Sequence, residues 1–245
     1  MERRDIIKQK LEKEGEVTLS ALAKDFPSVS VMTIRRDLQF FQDMGFAFRT
    51  HGGARLAAYN RSEPYYKMRE GEMCEAKAHI ARYALQFLEE GQPVFLDAGT
   101  TMMSFARLMA TYNLQVITTA PNIALELAAS SNSSFILLGG QMNRHNISLS
   151  GAMAMDNLRN IEIDTAFIAA SGYTEASGFT CGSHSEAELK KLAIARAKKK
   201  ILLMDSGKFG KEMLFPFAAL SDFDVFITDK KPEFSGGAGN TQIVF

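Results

Sequence analysis

The chain has 245 residues, of which 46% are hydrophobic and 23% charged, and its 28 basic side chains balance 28 acidic ones. This composition fits one large or two smaller globular domains and excludes collagen-like, disordered and cysteine-rich classes. No apolar run is long enough to span a membrane, and the N-terminus lacks the apolar core of a signal peptide. Only two cysteines occur, so we expect a cytoplasmic protein.

Charge is distributed unevenly along the chain. Residues 1–61 carry 11 basic and 8 acidic side chains, whereas residues 62–245 carry 17 and 20. Because residues 1–27 balance at 6 and 6, the excess lies in 28–61, where every basic residue is arginine. Arginine suits bidentate contacts to phosphate and guanine, so this segment is the predicted nucleic-acid contact.

Apolar stripes predict three helices at the N-terminus. A first helix ends at Gly15, Thr18 is the expected N-cap of a second, and Ser30 caps a third after a turn at Pro27-Ser28. The stripes that define their buried sides are Ile6, Ile7 and Leu11, then Leu19, Leu22, Ala23 and Phe26, then Val31, Ile34, Leu38 and Phe41.

The third helix has a distinct outer surface. At about 100° per residue, Met32, Arg36 and Phe40 lie opposite the buried stripe. Thr33 and Gln39 lie beside them, and Arg35 and Asp37 occupy the flanks. Two helices, a tight turn and a helix with outward arginines are the helix-turn-helix arrangement, whose last helix enters the major groove.

Residues 46–50 then alternate as a strand before His51-Gly52-Gly53-Ala54. A strand, a glycine turn and a basic residue fit the wing of a winged helix, which contacts the phosphate backbone. The alternative is a solvated basic helix and hairpin on a three-helix scaffold. The predicted DNA-binding residues are Ser30, Met32, Thr33, Arg35, Arg36, Gln39, Arg49 and His51.

From Ala76 onward, strands and helices alternate, which predicts an α/β domain with a mostly parallel sheet. Ligands bind such sheets beyond the carboxyl ends of the strands. Strands are expected at 94–96, 114–118, 135–138, 165–169, 201–204 and 225–228, and helices at 76–91, 101–110, 122–129 and 186–197.

The strand ends carry small and polar residues typical of a phosphate pocket. Gly99 allows close backbone approach, and hydroxyl groups at a helix N-terminus form an anion site. The candidate effector-binding residues are Asp97, Gly99, Thr100, Thr101, Thr118, Thr119, Gly139, Gly140, Gly172, Glu186, Lys190 and Lys208. Glycines and threonines also simply end strands and cap helices, and Glu186 and Lys190 are spaced as an ordinary i, i+4 surface pair.

The N-terminal motifs resemble the DeoR family of bacterial transcriptional regulators. The matching residues are Thr33-Ile34-Arg35-Arg36-Asp37-Leu38 and Arg49-Thr50-His51-Gly52-Gly53-Ala54. The segment Phe26-Pro27-Ser28-Val29-Ser30 is one residue longer than the family pattern. Phe40 stands where a polar residue is usual, so we expect it to pack on a partner subunit.

Residues 76–245 resemble the sensor domain of the same family, through Asp97-x-Gly99-Thr100-Thr101, Glu186-x3-Lys190 and Asp205-x2-Lys208-Phe209-Gly210. The resemblance implies a fold like ribose-5-phosphate isomerase and glucosamine-6-phosphate deaminase, and a phosphorylated sugar as inducer. It implies Gly99, Thr100 and Thr101 as phosphate contacts, with Glu186, Lys190 and Lys208 nearby. Two departures, Thr118-Thr119-Ala120 and Gly207, remove side-chain hydrogen-bond partners and point to an unusual effector.

The expectation is a winged helix at 1–57, a linker at 58–75 and an effector domain at 76–245. We expect the protein to be a repressor of a carbohydrate operon, homodimeric or homotetrameric. A phosphorylated sugar would release it from double-stranded operator DNA. Neither a cofactor nor a metal is expected, since the four histidines show no ligand spacing. Two alternatives remain: a sugar-phosphate isomerase or deaminase with Glu186 as base, and a protein-interaction module.

Overall fold

The computed structural model describes residues 3–43, 46–56, 65–130, 133–233 and 239–245. A small N-terminal body and a larger α/β body each have a hydrophobic core of their own. In the small body, three helices precede a hairpin, and a short strand joins that hairpin as an antiparallel sheet of order β1-β3-β2. Its elements are α1 (Arg3–Glu14), β1 (Glu16–Thr18), α2 (Leu19–Asp25), α3 (Val31–Asp43), β2 (Ala47–Thr50) and β3 (Gly53–Leu56).

Both expected helix caps are confirmed. The amide of Ala21 donates to the Thr18 hydroxyl over 3.1 Å, and the amide of Thr33 donates to the Ser30 hydroxyl over 3.1 Å. These bonds satisfy amides that have no partner within the first turn of a helix.

The expected burial of Val31 is wrong, because its side chain is 45% exposed. Val29, in the turn before α3, packs against the core instead. The stripe of α3 therefore meets the core only from Ile34 onward.

The larger body is built on a seven-stranded parallel sheet of order β15-β14-β12-β9-β4-β5-β6. A second, antiparallel sheet has the order β10-β11-β13, and β7 and β8 form a hairpin. The strands are β4 (Pro93–Leu96), β5 (Gln115–Thr118), β6 (Ser134–Leu137), β7 (Gln141–Asn143), β8 (Ser148–Ser150), β9 (Ile163–Ala169), β10 (Gly172–Thr174), β11 (Gly178–Cys181), β12 (Ala197–Leu203), β13 (Phe215–Ala218), β14 (Val225–Ile227) and β15 (Gln242–Val244).

Helices cover both faces of the parallel sheet. They are α4 (Tyr66–Glu70), α5 (Cys74–Ala84), α6 (Thr100–Leu108), α7 (Pro121–Ser130), α8 (Ala152–Arg159) and α9 (His184–Arg196). Val94 and Leu96 pack with α5, α6 and α7, whereas Phe95 packs with α8 and α9. Successive strand residues point to opposite faces, which is why the strands read as continuous apolar runs.

The chain order makes the carboxyl edge of this sheet asymmetric. From β4 the chain moves outward through β5 to β6, then returns to pair β9 with the other side of β4. The strand order therefore reverses between β4 and β9. Crevices at such reversals are where doubly wound sheets bind ligands.

Helix α4 lies within the stretch 58–75 that was expected to be a linker; residues 58–64 fall outside the described ranges. Tyr66 belongs to the core of the α/β body, while Met68 packs against the core of the small body. Glu72, just beyond α4, forms an ion pair with Lys8 of α1. Helix α4 therefore contacts both bodies.

Candidate functional site

Helix α3 presents an exposed surface with two cationic side chains. Met32 is 59% exposed, and Arg35 and Arg36 are exposed beside it. Neither arginine forms an ion pair with any residue in the described part of the chain. Both guanidinium groups can therefore meet an incoming anion without first breaking a bond.

Asp37, which the helical wheel places on a flank of α3, is buried, and only 1% of it is exposed. Its carboxylate accepts hydrogen bonds from Arg3 at 2.5 Å and Arg4 at 2.9 Å. Burial alone would raise the pKa of Asp37, but the hydrogen bonds and charges of these arginines outweigh it and lower the pKa. Asp37 thus fastens α3 to α1.

Phe40, which was expected to pack on a partner subunit, is partly buried and is contacted within the chain. The guanidinium of Arg4 lies 4.1 Å from the centre of its ring, and the Phe41 ring contacts it edge-on at 5.6 Å. The ion pair between Asp37 and Arg4 places this guanidinium over the ring. The resulting cation–π contact stabilises an aromatic side chain on an otherwise polar face of the helix.

The wing is hydrogen-bonded to α3. The Arg49 guanidinium donates to the Gln39 side-chain carbonyl over 2.7 Å, and the Arg49 amide donates to Gln42 over 3.0 Å. Gln39 also donates to Asp43 over 2.7 Å. Ser30 and Thr33 share a hydroxyl–hydroxyl bond of 2.9 Å at the start of α3. His51 is exposed in the wing turn.

A small cleft, with a cavity volume of about 10 Å³, lies at the strand-order reversal between β4 and β9. Six of the predicted effector residues line it: Gly99, Thr100, Thr101, Glu186, Lys190 and Lys208. Arg69, Ala98, Asn146, Ala169, Ala170 and Ser171 complete the lining.

Part of the cleft lining is suited to an anion. Gly99 has φ +137°, a conformation open to glycine, and it precedes the first turn of α6. Thr100 and Thr101 are 4% and 1% exposed, and among the described residues their hydroxyl groups have no hydrogen-bond partner. Hydroxyls at a helix N-terminus and the cations Arg69 and Lys208, which line the same cleft, are groups that favour an anion.

The floor of the cleft is a buried ion pair. Asp97 binds the Lys190 ammonium and accepts the amides of Ala98 at 2.8 Å and Ala169 at 2.9 Å. Burial by itself would lower the pKa of Lys190, but the charges of Asp97, Cys181 and Glu186 outweigh it and raise the pKa. Lys190 is therefore a fixed cation that joins the ends of β4 and β9.

Glu186 is held by the β7–β8 hairpin. Its carboxylate accepts Asn143 at 2.7 Å, Asn146 at 2.7 Å and Ser148 at 2.6 Å. Glu186 is 5% exposed and accepts three hydrogen bonds, so it is a buried acceptor. It is not part of the surface pair with Lys190 that the i, i+4 spacing allowed.

A second buried lysine, Lys77, lies near Lys208. Lys77 donates to the backbone carbonyls of Arg69 and of Glu72, the latter over 2.5 Å, and so holds the C-terminal end of α4. Burial lowers the pKa of Lys77, and the nearby positive charge of Lys208 lowers it further. Lys208 itself donates to the Ala170 carbonyl over 2.9 Å and lies 3.5 Å from Asp205.

Six of the predicted effector residues are not part of the cleft lining: Asp97, which is paired with Lys190, and five residues at other strand ends. The Thr118 hydroxyl donates to the Leu96 carbonyl over 2.8 Å, and the Thr119 carbonyl accepts the Leu149 amide over 2.8 Å. A side chain at Gly140 would collide with the Ser150 carbonyl at 2.5 Å, and one at Gly172 with the Lys211 carbonyl at 2.4 Å. Gly139, like Gly140, follows β6, two strands away from β4. These residues serve local packing.

Arg69 and Asn146 were missed by the sequence reasoning. Arg69 lies in a stretch that was taken as a linker, and Asn146 lies in a hairpin whose strands are too short to show alternation. The signal that was available for Arg69 is the pair of tyrosines before it, since aromatic residues are rarely left exposed in a free linker.

Within the described ranges, no group of three or more histidine, cysteine or acidic side chains is arranged to hold a metal ion. Cys74 and Cys181 are both free thiols. No helix of the described residues is long and apolar enough to cross a membrane.

A three-helix body with an exposed arginine-bearing helix and a wing, joined to a doubly wound α/β body, is the architecture of a helix-turn-helix regulator with a separate α/β domain. Residues 3–59 match the DeoR-like helix-turn-helix domain, and residues 72–230 match the DeoR C terminal sensor domain. The chain belongs to the DeoR family of transcriptional regulators.

Named relatives agree with this assignment. The HTH-type transcriptional regulator GlpR of Haloferax volcanii is 35% identical over 206 residues, 84% of this chain and 80% of that protein. The lactose phosphotransferase system repressor of Staphylococcus epidermidis is 30% identical over 231 residues, 93% of this chain and 91% of that protein. These relatives are regulators and not enzymes, which removes the isomerase or deaminase alternative.

Among solved structures, ribose 5-phosphate isomerase A from Methanocaldococcus jannaschii matches with a TM-score of 0.40 and 18% identity, covering 55% of this chain and 54% of that chain.

Proposed function

We propose that the protein represses a carbohydrate-utilisation operon and leaves its operator when a phosphorylated sugar binds the cleft between β4 and β9. The observation that carries this proposal is the pair of buried, unpartnered hydroxyls of Thr100 and Thr101 at the start of α6. A phosphate group would supply the acceptors that these hydroxyls lack. The name of the Staphylococcus epidermidis relative, a repressor of a sugar phosphotransferase system, supports the same class of effector.

On the DNA side, α3 enters the major groove and the wing contacts the backbone. Arg35, Arg36 and Arg49 anchor the DNA, Met32, Thr33 and Gln39 read base edges, and Ser30 and His51 add contacts at the start of α3 and in the wing. A homodimer or homotetramer would match a palindromic operator, since two-fold symmetry in the protein demands it in the DNA.

Helix α4 supplies the route from cleft to operator. It directs Arg69 into the cleft, while Met68 packs on the winged-helix core and Glu72 binds Lys8 of α1. A phosphate that draws Arg69 toward α6 would shift these contacts and favour a winged-helix arrangement that fits the operator poorly. The population shift is limited by the difference in the effector's affinity for the two states.

The test is a thermal-shift screen followed by gel shifts. The panel contains inorganic phosphate, the 6-phosphates of glucose, galactose, mannose and tagatose, fructose 1-phosphate and ribose 5-phosphate, each beside its unphosphorylated sugar. We expect at least one sugar phosphate to raise the thermal midpoint and to release a fragment of the gene's upstream region, while no free sugar does either. If no phosphorylated compound changes the midpoint or the gel shift, the proposal is wrong.

A further inference from the structure

The lining of the cleft is chemically mixed. The hydroxyls of Thr100 and Thr101 and the cations Arg69, Lys190 and Lys208 suit a phosphate group, whereas the buried carboxylate of Glu186 suits sugar hydroxyls, to which it can only be an acceptor. We therefore assign the phosphate of a phosphorylated sugar to the start of α6 and its hydroxyls to Glu186. Side chains beside Glu186 are the ones that can distinguish one sugar from another.

Asn146 lines the cleft beside Glu186 and is 7% exposed. Its Nδ2 donates to Glu186 over 2.7 Å and its Oδ1 accepts the Ser148 hydroxyl over 3.4 Å, and together these bonds fix the plane of the amide. An amide both donates and accepts, as a sugar hydroxyl does, so a fixed amide can match the orientation of a particular hydroxyl group. A site that hydrogen-bonds a substrate hydroxyl discriminates strongly against analogues that lack it.

The hairpin holds Asn146 in place at a conformational cost. Ile147, the next residue, has φ +54°, a region that β-branched residues rarely adopt. The Tyr66 amide donates to the His145 carbonyl over 2.5 Å, and the rings of Tyr65 and His145 stack at 4.1 Å. Strained backbone persists where its surroundings fix it, and such residues cluster at ligand sites.

We propose that Asn146, presented by the β7–β8 hairpin, is the residue that selects the sugar by bonding its hydroxyls. The proposal rests on the proposed function, because it assumes that a sugar phosphate occupies this cleft. Because the phosphate group is assigned to Thr100 and Thr101, the contribution of Asn146 is confined to the sugar.

The experiment measures dissociation constants by calorimetry for the full-length protein, with inorganic phosphate and with each sugar phosphate of the panel above. For Asn146→Ala we expect inorganic phosphate to bind within twofold of the parent value. The strongest-binding sugar phosphate should lose about tenfold or more in affinity, because its hydroxyl and the Glu186 carboxylate each lose a partner. The order of preference among the sugar phosphates should also change.

Asn143→Ala is the matched control. Asn143 donates to the same Glu186 carboxylate over 2.7 Å but does not line the cleft, so its removal tests a merely structural role. We expect Asn143→Ala to keep the parent's order of preference. Thr101→Val should weaken inorganic phosphate and sugar phosphates together.

The outcomes separate the two proposals. Suppose that the parent binds a sugar phosphate, and that Asn146→Ala binds the same sugar phosphates in the same order of preference and with the same affinity relative to inorganic phosphate. The role of Asn146 is then overturned while the proposed function stands. The same holds if Asn143→Ala changes the order of preference as Asn146→Ala does. If the parent binds neither phosphate nor any sugar phosphate, the proposed function fails and this inference fails with it.

Discussion

Thr101→Val should raise the thermal stability of the effector-free protein while weakening effector binding. The Thr101 hydroxyl is buried and has no hydrogen-bond partner, so folding costs the desolvation of that group without a compensating bond. Replacing it by a methyl group removes this cost. Taking about 1 kcal/mol, at the low end for a buried unsatisfied group, the thermal midpoint should rise by about 2–4 °C in a domain of this size.

The same substitution removes a donor to the phosphate. A hydrogen bond to a charged group contributes about 1.5–3 kcal/mol, so the dissociation constant for a sugar phosphate should rise about 10- to 150-fold. The assay is a thermal melt with and without the sugar phosphate that stabilises the parent most, together with calorimetry of binding. The two effects have opposite signs, which a general loss of folding cannot produce.

Thr228→Val is the matched control. Thr228 is also fully buried with an unpartnered hydroxyl, but it does not line the cleft. It should raise the midpoint similarly and leave the dissociation constant at the parent value. The reasoning is refuted if Thr101→Val binds the sugar phosphate as tightly as the parent, or if Thr228→Val weakens binding equally.

Three other predictions concern the winged helix and the floor of the cleft. Arg36→Ala should weaken operator binding by about 1–3 kcal/mol if Arg36 reads a base. Fluorescence anisotropy would measure the loss. The control is Arg159→Ala, which removes an exposed arginine from α8 and should bind the operator as the parent does. Because the pKa of Asp37 is lowered on folding, its stabilisation is complete above the unfolded value of about 3.9 and is lost as pH falls through the folded value. The thermal midpoint of Asp37→Asn should therefore lie below that of the parent at neutral pH and fall less steeply as the pH is lowered. If melts between pH 2 and 6 show the same fall of the midpoint for both proteins, the prediction is wrong. Asp97→Asn leaves Lys190 as a buried charge without its counter-ion and should lower the free energy of unfolding by about 3–5 kcal/mol. In denaturant titrations, the double variant Asp97→Asn with Lys190→Met should recover part of that loss. If the effects of the two substitutions simply add, the two side chains are not coupled.

The sequence predicted the elements that rest on local patterns. Helices α1 to α3, with their caps at Thr18 and Ser30, follow from spacing and hydrogen-bonding chemistry within a few residues. The buried parallel strands follow from apolar runs. Strands of three residues, such as β7 and β8, escaped because three residues give no measurable alternation.

What could not be predicted depends on contacts between distant parts of the chain. Asp37 is buried because two arginines more than thirty residues earlier neutralise it, and nothing near Asp37 signals this. The residues after β5 and β6 resembled those after β4 in type, yet only the end of β4 borders β9. Strand order, which the sequence pattern leaves open, decides which loops share a site.

The hydrogen bond between Gln39 and Arg49 has a consequence for how such regulators diverge. A residue expected to read bases and a residue expected to hold the backbone are bonded to each other before DNA arrives. A change at either position alters the other's side-chain conformation, so their effects on operator choice should be epistatic. A lineage that acquires a new operator would then be expected to change helix and wing together, and libraries that vary α3 alone would sample only part of the available specificities.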